Sequence, residues 1–321
     1  VLLGMSGGVD SSVSAVLLKK SGYEVIGATM KLWQEDFEDE NEKSCCSFSA
    51  VNDAKRVCDI LEIPHYVLNC KAEFRKYVVD DFINCYKDAK TPNPCVECNR
   101  YLKFGEFLRK AEELDCDYIA TGHYAKVEYC EKYNQYVLKK ATNEKKDQSY
   151  FLYKIPREVL NKIIFPLEGY EDKEDIRNIA RENNLLVAEK KESQEVCFIP
   201  DNNYVKFIEK YDKLKMKPGN IVDINGNILG KHNGIIKYTV GQRKGIGISY
   251  KEPLYVLKLD KVKNEIIVGT EKDLYTKEVT IGDINYLVKS LENKKIEIEA
   301  KVRYRSKPAK AILYPLETGK A

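Results

Sequence analysis

The sequence lacks any run of about 18 apolar residues, so no segment is predicted to span a membrane. Its first residues lack the basic region and the long apolar stretch of a secretion signal, and no internal repeat or low-complexity tract follows. An initiator Met is missing and the last residues stop in mid-pattern, so we expect both ends to be trimmed. The 10 cysteines are therefore expected to be cytoplasmic thiols, metal ligands or catalytic groups rather than a disulfide framework.

Composition is ordinary for a globular protein, with 43% hydrophobic and 32% charged residues, and the length of 321 residues predicts two or three domains. The net charge of +3 conceals an asymmetry. Residues 201–321 carry 24 Lys and Arg against 15 Asp and Glu, whereas residues 1–200 carry 29 against 35. The basic C-terminal part is expected to meet a polyanion such as nucleic acid, although lysine-rich surfaces also occur without one.

Short apolar runs alternate with amphipathic stretches through the first part of the chain, which predicts a parallel sheet with helices on both faces. The predicted strands are 1–3, 24–28, 65–68 and 117–120, and the predicted helices are 11–20, 50–61, 73–86 and 103–114. Ligands of such sheets bind at the carboxyl ends of the strands. The first part is therefore predicted to be an α/β catalytic domain.

The pattern changes after about residue 200 to period-two alternation with turn signals, including an Asn-Gly pair at 225–226. Predicted strands lie at 258–260, 266–268, 296–302 and 311–314. Arg303 and Arg305 continue the alternation, which suits contact with backbone phosphates. The predicted domains are a catalytic domain over 1–200, a central β-rich domain over 201–270 and a C-terminal β-barrel-like domain over 271–321.

The most informative motif is the stretch Gly4-Met5-Ser6-Gly7-Gly8-Val9-Asp10-Ser11-Ser12, between a predicted strand and a predicted helix. Its glycines let backbone N–H groups approach an anion, and the start of the following helix favours negative charge. Asp10 can orient the loop or hold Mg²⁺. A tight turn with a helix cap would be a simpler explanation, and the loop is not a Walker A loop because no Gly-Lys-Ser/Thr follows. The motif predicts a phosphate site.

This loop resembles the PP-loop of the N-type ATP pyrophosphatases. Members of that superfamily cleave ATP between its α and β phosphates and adenylate an acceptor oxygen. The resemblance implies that the α/β part is a PP-loop ATP pyrophosphatase domain of the adenine-nucleotide α-hydrolase-like type, with ATP and Mg²⁺ at the loop.

Three cysteines lie in distinctive surroundings. Cys95 and Cys98 form a Cys-x-x-Cys pair in the proline-bounded stretch 91–99, just before a predicted helix, where a thiol becomes more nucleophilic. The pair could instead be half of a metal site, but no second Cys-x-x-Cys exists, so zinc held by four thiolates is not expected. Cys197 lies much later between apolar neighbours, and a buried apolar thiol is its simpler explanation.

Several segments together resemble the tRNA-uridine 2-sulfurtransferases, also called tRNA-specific 2-thiouridylases, and they extend over nearly the whole chain. They are the glycine-rich loop, Thr91–Asn99 with Lys103-Phe104, Thr121–Tyr124, Lys146–Leu152, Cys197–Ile199, Gly241–Gly247 and Arg303–Arg305. Many members of that family have Asp where this chain has Cys95.

The resemblance implies a role for each matching residue. Cys98 matches the catalytic cysteine and Cys197 the cysteine that carries a persulfide, and the two are implied to form a redox disulfide. The implied contacts to the target base are Asn93, Pro94 and Cys95. The implied ATP-binding residues are Gly4, Met5, Ser6, Gly7, Gly8, Val9, Asp10, Ser11, Met30 and Gly122, and the implied tRNA contacts are Lys146, Asp147, Gln148, Arg303 and Tyr304.

The activity implied by the resemblance is ATP-dependent 2-thiolation of the wobble uridine of tRNAs for Lys, Glu and Gln, with release of AMP and pyrophosphate. A cysteine desulfurase or a sulfur-relay carrier is the implied donor of the persulfide. A rival mechanism uses a [4Fe–4S] cluster held by Cys95, Cys98 and Cys197, as in some PP-loop thiolases. Three rival functions are a nucleotide-amidating ATP pyrophosphatase, for which no glutaminase domain is present, a tRNA-binding protein without catalysis, and a cysteine-rich metal protein.

Overall fold

The computed structural model describes residues 1–33, 48–190, 196–199, 201, 203–212, 216–316 and 319–321. The chain divides into two compact units. The first unit comprises Val1–Tyr77, Cys95–Pro200 and Ile281–Ala321, and the second comprises Val78–Pro94 and Asp201–Thr280. The domain boundaries inferred from sequence, after residues 200 and 270, stay predictions.

Regular elements occur in both units. The strands are β1 (Leu2–Gly4), β2 (Ile26–Lys31), β3 (His65–Asn69), β4 (Ile119–Thr121), β5 (Ala125–Cys130), β6 (Gln135–Lys140), β7 (Ile163–Ile164), β8 (Gly219–Val222), β9 (Ile228–His232), β10 (Tyr255–Asp260), β11 (Glu265–Gly269), β12 (Ile296–Ala300) and β13 (Ala309–Leu313). The α-helices are α1 (Val9–Lys20), α2 (Phe48–Ile60), α3 (Lys71–Phe74), α4 (Asp80–Lys87), α5 (Pro94–Glu97), α6 (Phe107–Glu113), α7 (Lys173–Glu182) and α8 (Tyr204–Asp212). Two π-helical segments span Arg75–Val79 and Cys98–Glu106, and short 3₁₀ helices include Ser149–Phe151 and Arg157–Lys162.

The first unit contains a five-stranded sheet in the order β3-β2-β1-β4-β7, in which every pairing is parallel. Because successive residues of a strand point to opposite faces, Leu2 and Leu3 enter two different hydrophobic clusters. Leu3 packs with Val13 and Val16 of α1, and Leu2 packs with Phe104 and Phe107 on the other face. The α/β class and the two-faced parallel sheet predicted from sequence are confirmed.

Two predicted helices differ from those observed. The predicted helix 73–86 is a composite of α3, a π-helical segment and α4. The predicted helix 103–114 begins nine residues earlier, at Pro94, and passes through the π-helical segment Cys98–Glu106. Proline suits the first position of a helix because its φ is already helical and it has no N–H to satisfy there. The prediction that residues 94–99 form a loop before the helix is therefore wrong.

The hairpin of β5 and β6 in the first unit was not predicted from sequence. The two strands pair antiparallel from Ala125–Lys140 to Cys130–Gln135. Asn134 turns the chain with a positive φ of 51°, a conformation in which asparagine is enriched. The alternation of Ala125, Lys126, Val127 and Glu128 is the period-two signal that could have identified this strand.

The second unit contains a four-stranded sheet in the order β10-β11-β8-β9. The predicted Asn-Gly turn joins β8 to β9, with Gly226 at φ 85° and Asp223 Oδ1 accepting hydrogen bonds from the N–H groups of Asn225 and Asn227. Its core is formed by Ile221, Val256, Ile266 and Val268. The β-rich character predicted after residue 200 is confirmed.

The C-terminal segment of the first unit contributes the antiparallel pair of β12 and β13. The predicted strand 296–302 ends at Ala300, and Arg303–Arg305 lie in the turn region between the two strands rather than in a strand. The expected strand alternation of Arg303 and Arg305 is therefore wrong. No helix among the described residues is both long and apolar enough to cross a membrane.

Candidate active site

A cavity of about 240 Å³ opens in the first unit at the carboxyl ends of β1, β2 and β4, where a parallel sheet places its ligands. This volume suits part of a small molecule rather than a folded partner. The residues that line it are Gly4, Met5, Ser6, Asp10, Ser11, Ala28, Thr29, Met30, Leu32, Lys103, Thr121, Gly122, His123 and Gln148.

Most residues of the predicted nucleotide site lie together at this cavity. Its wall includes Gly4, Met5, Ser6, Asp10, Ser11, Met30 and Gly122. Gly7, Gly8 and Val9 form the turn between Ser6 and Asp10, and α1 begins at Val9 rather than at Ser11 as predicted. The assignment of these residues to ATP stays a prediction.

The glycine-rich turn is held by close packing and by its own serines. Gly7 has a φ of 69°, and a Cβ at this position would lie 2.2 Å from the carbonyl oxygen of Ala50. Ser11 Oγ accepts a hydrogen bond from the N–H of Ser6 and donates one to the carbonyl of Gly8. Gly122 at the end of β4 also approaches the turn closely, since its Cβ would lie 2.9 Å from Ser11 N. Close packing and these hydrogen bonds therefore hold the backbone of the turn in one conformation.

Asp10 is the acidic residue of the cavity wall, and two partners hold its carboxylate. Its Oδ1 accepts hydrogen bonds from Tyr124 Oη at 2.8 Å and from Lys173 Nζ at 2.6 Å. The Lys173 side chain is 16% exposed and that of Asp10 is 28% exposed, so the pair is partly removed from water. Lys190 Nζ donates hydrogen bonds to the carbonyl of Gly7 and to Asp53 Oδ2, and so links the glycine-rich turn to Asp53.

Sequence reasoning missed Tyr124, Lys173 and Lys190 as parts of this site. Lys173 is 163 residues from Asp10 in the chain, so no local pattern links the two. Lys103 on the cavity wall lies in a matching motif, but the resemblance implied no role for it. The pair Lys190–Lys191 was a possible signal, because two lysines directly precede the stretch that carries Cys197.

His123 follows β4 and lines the cavity. Its Nδ1 lies 2.8 Å from Thr121 Oγ1. Removal from water and the nearby charge of Lys103 lower the pKa of His123 well below its usual range. His123 therefore stays neutral at neutral pH.

The three cysteines singled out from sequence differ in exposure. Cys95 is exposed in the first turn of α5, Cys98 is buried at the start of the π-helical segment, and Cys197 is half-buried in a turn. π-helical segments occur frequently at functional sites. Asn99, next to Cys98, is buried and donates a hydrogen bond from Nδ2 to the carbonyl of Phe151.

The segments that carry Cys98 and Cys197 contact the same short helix, α3. Phe198, next to Cys197, packs edge-on against Phe74 of α3 with ring centroids 5.5 Å apart. The same helix packs against the π-helical segment that begins at Cys98. Tyr77 and Tyr101 extend this contact as a stacked pair with centroids 4.4 Å apart. Both cysteine segments therefore belong to one packed region of the first unit.

The three cysteines do not form a metal site. Among the described residues, which include Cys95, Cys98 and Cys197, no group of three or more Cys, His, Asp or Glu side chains is arranged to hold a metal ion. A [4Fe–4S] cluster needs its cysteines gathered around one centre. The residues thus do not fit the cluster considered from sequence. Cys45 and Cys46 lie outside the described residues.

Mg²⁺ needs fewer protein ligands than an iron–sulfur cluster. It is usually held by one or two protein oxygens together with substrate phosphates and water. Asp10 and Ser11 supply a carboxylate and a hydroxyl at the cavity wall. These are the hard oxygen ligands that Mg²⁺ prefers, so the residues present fit the ion.

The predicted tRNA-contacting segments lie close together in the first unit. Tyr304 packs against Phe151 with centroids 4.7 Å apart and against Tyr150 at 5.9 Å. Tyr150 Oη also donates to the carbonyl of Val302. Lys301 lies over the ring of Tyr304 at 5.2 Å. The segment after Lys146 and the turn around Arg303 thus form one aromatic and basic surface.

The individual residues of these segments differ in position. Gln148 lines the cavity, and its Oε1 accepts a hydrogen bond from the N–H of Tyr124. Asp147 is buried, and its carboxylate accepts hydrogen bonds from Ala141 N and Ser149 Oγ. The carboxylate of Asp147 therefore organises its own loop. Asn93 and Pro94 belong to the second unit, where Pro94 is buried.

Comparison with known proteins shows the family to which this chain is related. A family model described as "tRNA methyl transferase HUP domain" matches residues 1–201, and one described as "tRNA methyl transferase PRC-barrel domain" matches residues 205–270. A tRNA-specific 2-thiouridylase MnmA of Clostridium botulinum is 51% identical over 321 residues, covering 100% of this chain and 88% of its own. The chain belongs to the tRNA-specific 2-thiouridylase family. The resemblance drawn from the sequence motifs is confirmed.

Further members of the 2-thiouridylase family match over a similar length. The protein of that name from Clostridioides difficile is 47% identical over 314 residues, covering 98% of this chain and 87% of its own. The one from Acetivibrio thermocellus is 48% identical over 322 residues, covering 100% and 89%. Among solved structures, an NMN synthetase from Francisella tularensis covers 67% of this chain and 78% of its own with a TM-score of 0.38 and 14% identity. A likeness this low carries no argument about function.

Proposed function

We propose that this protein replaces the C2 oxygen of a uridine in tRNA with sulfur, in a reaction that consumes ATP. The observation that carries the proposal is the identity of 51% over 321 residues with a curated tRNA-specific 2-thiouridylase. The cavity behind the glycine-rich turn and the two cysteine segments packed on α3 provide the two parts that this chemistry needs.

The first step is adenylation of the uridine. The C2 oxygen attacks the α-phosphorus of ATP, the bond between the α and β phosphates breaks, and pyrophosphate leaves. Backbone N–H groups of the turn from Gly4 to Gly8 and the start of α1 bind the phosphates. Asp10 and Ser11 would hold Mg²⁺, which supplies charge neutralisation on the phosphates when bound. Lys173 donates a hydrogen bond to Asp10 Oδ1 and so orients the carboxylate.

The second step is sulfur transfer from a persulfide on Cys197. Its terminal sulfur forms a bond to C2, and AMP leaves with the former uridine oxygen. Cys98 then attacks Cys197 Sγ, which breaks the sulfur–sulfur bond and leaves 2-thiouridine and a disulfide. In a second possible order, Cys98 attacks first and releases sulfide, which displaces AMP from C2. Either order ends in a Cys98–Cys197 disulfide that an external thiol reduces.

The target within the tRNA is proposed to be the wobble uridine of the tRNAs for Lys, Glu and Gln. This base must leave its stack to reach a buried site. Asn93, Pro94 and Cys95 are proposed to hold it, and the surface around Lys146, Arg303 and Tyr304 is proposed to contact the rest of the tRNA. A cysteine desulfurase or a relay carrier would supply the persulfide, and the cytoplasm is the proposed location.

The assignment of the two cysteines is tested in a bacterial strain that lacks its own 2-thiouridylase. Expression of this protein is expected to restore 2-thiouridine in bulk tRNA, measured by mass spectrometry of nucleosides. The variants Cys98→Ser and Cys197→Ser are expected to lower it more than 100-fold, because neither serine can carry or resolve a persulfide. Cys130→Ser, at a half-buried cysteine in the β5–β6 hairpin, is the matched control and is expected to act like the parent. Normal 2-thiouridine with either active-site variant would remove that cysteine from the mechanism.

A further inference from the structure

One charged residue of the nucleotide cavity has no role in the two steps of the proposed reaction. Among the described residues that line the cavity, Lys103 is the one that carries a permanent positive charge. Asp10 is held by Lys173 and Tyr124. His123 is neutral at neutral pH, because removal from water and the charge of Lys103 lower its pKa. Lys103 is therefore the basic side chain that the described cavity wall offers to the phosphates of a nucleotide.

The position of Lys103 follows from the local helix type. Lys103 lies five residues after Cys98 in the π-helical segment Cys98–Glu106. A π-helix joins residue i to residue i+5 by a backbone hydrogen bond, whereas an α-helix joins i to i+4 and turns once every 3.6 residues. The π-helical register therefore places Lys103 about one turn after Cys98. In an α-helix the same five-residue step covers about 1.4 turns.

This position associates Lys103 with both the nucleotide cavity and Cys98, which the proposed reaction also brings together. Lys103 is on the wall of the nucleotide cavity, and its backbone is about one turn from Cys98, the cysteine proposed to attack the persulfide-bearing Cys197 beside the uridine. The acceptor oxygen must approach the nucleotide from the side of Cys98. On this interpretation, a cation next to the segment of Cys98 is nearer to the phosphate that the oxygen attacks than to the two phosphates that leave.

We propose that Lys103 is a catalytic residue whose Nζ contacts the α-phosphate of ATP while the uridine oxygen attacks it. This inference rests on the proposed function. In the step, the oxygen–phosphorus bond forms, the α–β phosphoanhydride bond breaks, and both electrons of that bond leave with pyrophosphate. Lys103 transfers no proton. It stabilises the negative charge on the non-bridging oxygens of the α-phosphate, and a preformed cation in a site shielded from water is effective in this role.

The test separates catalysis from binding. Pyrophosphate release is measured with tRNA and varied ATP for the parent, Lys103→Gln, Lys103→Arg and the control Lys110→Gln. Lys110 lies on α6 in the same helical run and pairs with Glu113 at the surface. Lys103→Gln is expected to lower kcat about 100-fold, as for loss of one charge-stabilising donor. Lys103→Arg is expected to stay within about 10-fold of the parent because it keeps the charge, and Lys110→Gln is expected to match the parent.

A second readout does not depend on activity. The sequence has three histidines, so the imidazole proton signals of His65, His123 and His232 can be assigned by single substitutions and followed by NMR across pH. Lys103→Gln is expected to raise the pKa of His123, because one of the two causes of its lowered value is removed. Retained signals for the other two histidines show that the variant is folded.

Three results would overturn the proposal. They are a kcat of Lys103→Gln within threefold of the parent, a change in KM for ATP alone, and an unchanged pKa of His123, which would place the ammonium outside the cavity. Failure of the proposed function looks different. In that case the parent itself releases no pyrophosphate in a tRNA-dependent reaction, whereas failure of this inference leaves the parent active.

Discussion

At the scale of single residues, the cavity wall combines polar groups that are held in place by hydrogen bonds from their neighbours. Lys173 and Tyr124 both donate to one oxygen of Asp10, which fixes the direction of that carboxylate. Thr29 Oγ1 donates to the carbonyl of Met5 and lies 2.9 Å from His65 Nε2, which ties β2 to the start of the glycine-rich turn. The site is therefore ordered by side chains that come from distant parts of the sequence.

His123 gives a prediction about pH and stability. Its folded-state pKa is lowered, so the unfolded chain binds a proton more readily below the usual histidine pKa of about 6.5. Stability is then complete above this pH and is lost as pH falls below it, by at most about 1.4 kcal/mol per pH unit for one histidine. The pKa of His65 is also lowered by burial, and His65 contributes in the same direction.

The measurement is the free energy of unfolding in urea between pH 5 and pH 8 for the parent and for His123→Gln. The variant is expected to show a flatter pH dependence below pH 6.5, because one of the two contributing imidazoles is gone. Equal slopes for the two proteins in this range would show that His123 is not held neutral in the folded state.

At the residue scale, the sequence allows a prediction where the candidate site is a contiguous motif, but not where it depends on a contact between distant residues. The stretch from Gly4 to Ser11 indicates a phosphate site by its own order of residues. Lys173 is an ordinary helical lysine in the sequence, and only the fold brings it to Asp10. Asp147 is a polar residue inside a matching motif, yet the structure buries its carboxylate within its own loop.

At the scale of elements, α1 begins and ends near glycines with positive φ that have different surroundings. Gly7, before the helix, has a φ of 69° and faces the carbonyl of Ala50 at 2.2 Å from an added Cβ. Gly22, after the helix, has a φ of 84° and no atom within 4 Å of an added Cβ. The N–H of Gly22 donates to the carbonyl of Lys19 and the N–H of Tyr23 to that of Leu18, as at a glycine-capped helix end.

Because Gly7 and Gly22 have different surroundings, we expect the change to alanine to lower the free energy of unfolding by different amounts at the two positions. Gly22→Ala is expected to lower the free energy of unfolding by about 1 kcal/mol, the cost of a left-handed conformation. Gly7→Ala adds a clash with the backbone of α2 and is expected to cost about 3 kcal/mol and to displace the turn that binds phosphate. Urea denaturation and ATP titration of both variants provide the measurement. Equal losses of stability, with ATP affinity unchanged in Gly7→Ala, would contradict the tight packing of the turn.

Element boundaries show why sequence patterns located the helices but not their type. Hydrophobic spacing identified apolar faces over 73–86 and 103–114. Neither spacing distinguishes an α-helix from a helix with a π-helical insert, because the insert shifts the pattern by a single residue. The start at Pro94 was hidden because a proline-rich stretch usually indicates a loop. The π-helical segment Cys98–Glu106 is the insert that contains both Cys98 and Lys103.

At the scale of the whole molecule, the order of strands and helices predicted the parallel sheet, and the change of pattern near residue 200 predicted the β-rich part. The units themselves were not predictable in this way. Val78–Pro94 joins the second unit and Ile281–Ala321 joins the first, which places sequence-distant segments in one compact body. The contact of Tyr304 with Tyr150 and Phe151 is an example, because more than 150 residues separate them in the chain.

The charge asymmetry also belongs to this scale. The excess of Lys and Arg over residues 201–321 suits a partner with a phosphate backbone, whose binding releases counterions. Part of this basic segment, around Lys301 and Arg303, lies beside the aromatic rings of the first unit. Stacking rings next to cations are typical of surfaces that bind single-stranded or looped RNA.

The central claim is that one nucleotide site activates the uridine oxygen for replacement by sulfur from a cysteine. The most direct measurement uses the purified protein with tRNA, ATP, cysteine and a cysteine desulfurase, and it quantifies 2-thiouridine by mass spectrometry alongside the products of ATP. The account predicts one AMP and one pyrophosphate for each 2-thiouridine formed. Formation of 2-thiouridine without ATP cleavage, or cleavage of ATP to ADP and phosphate, would contradict it.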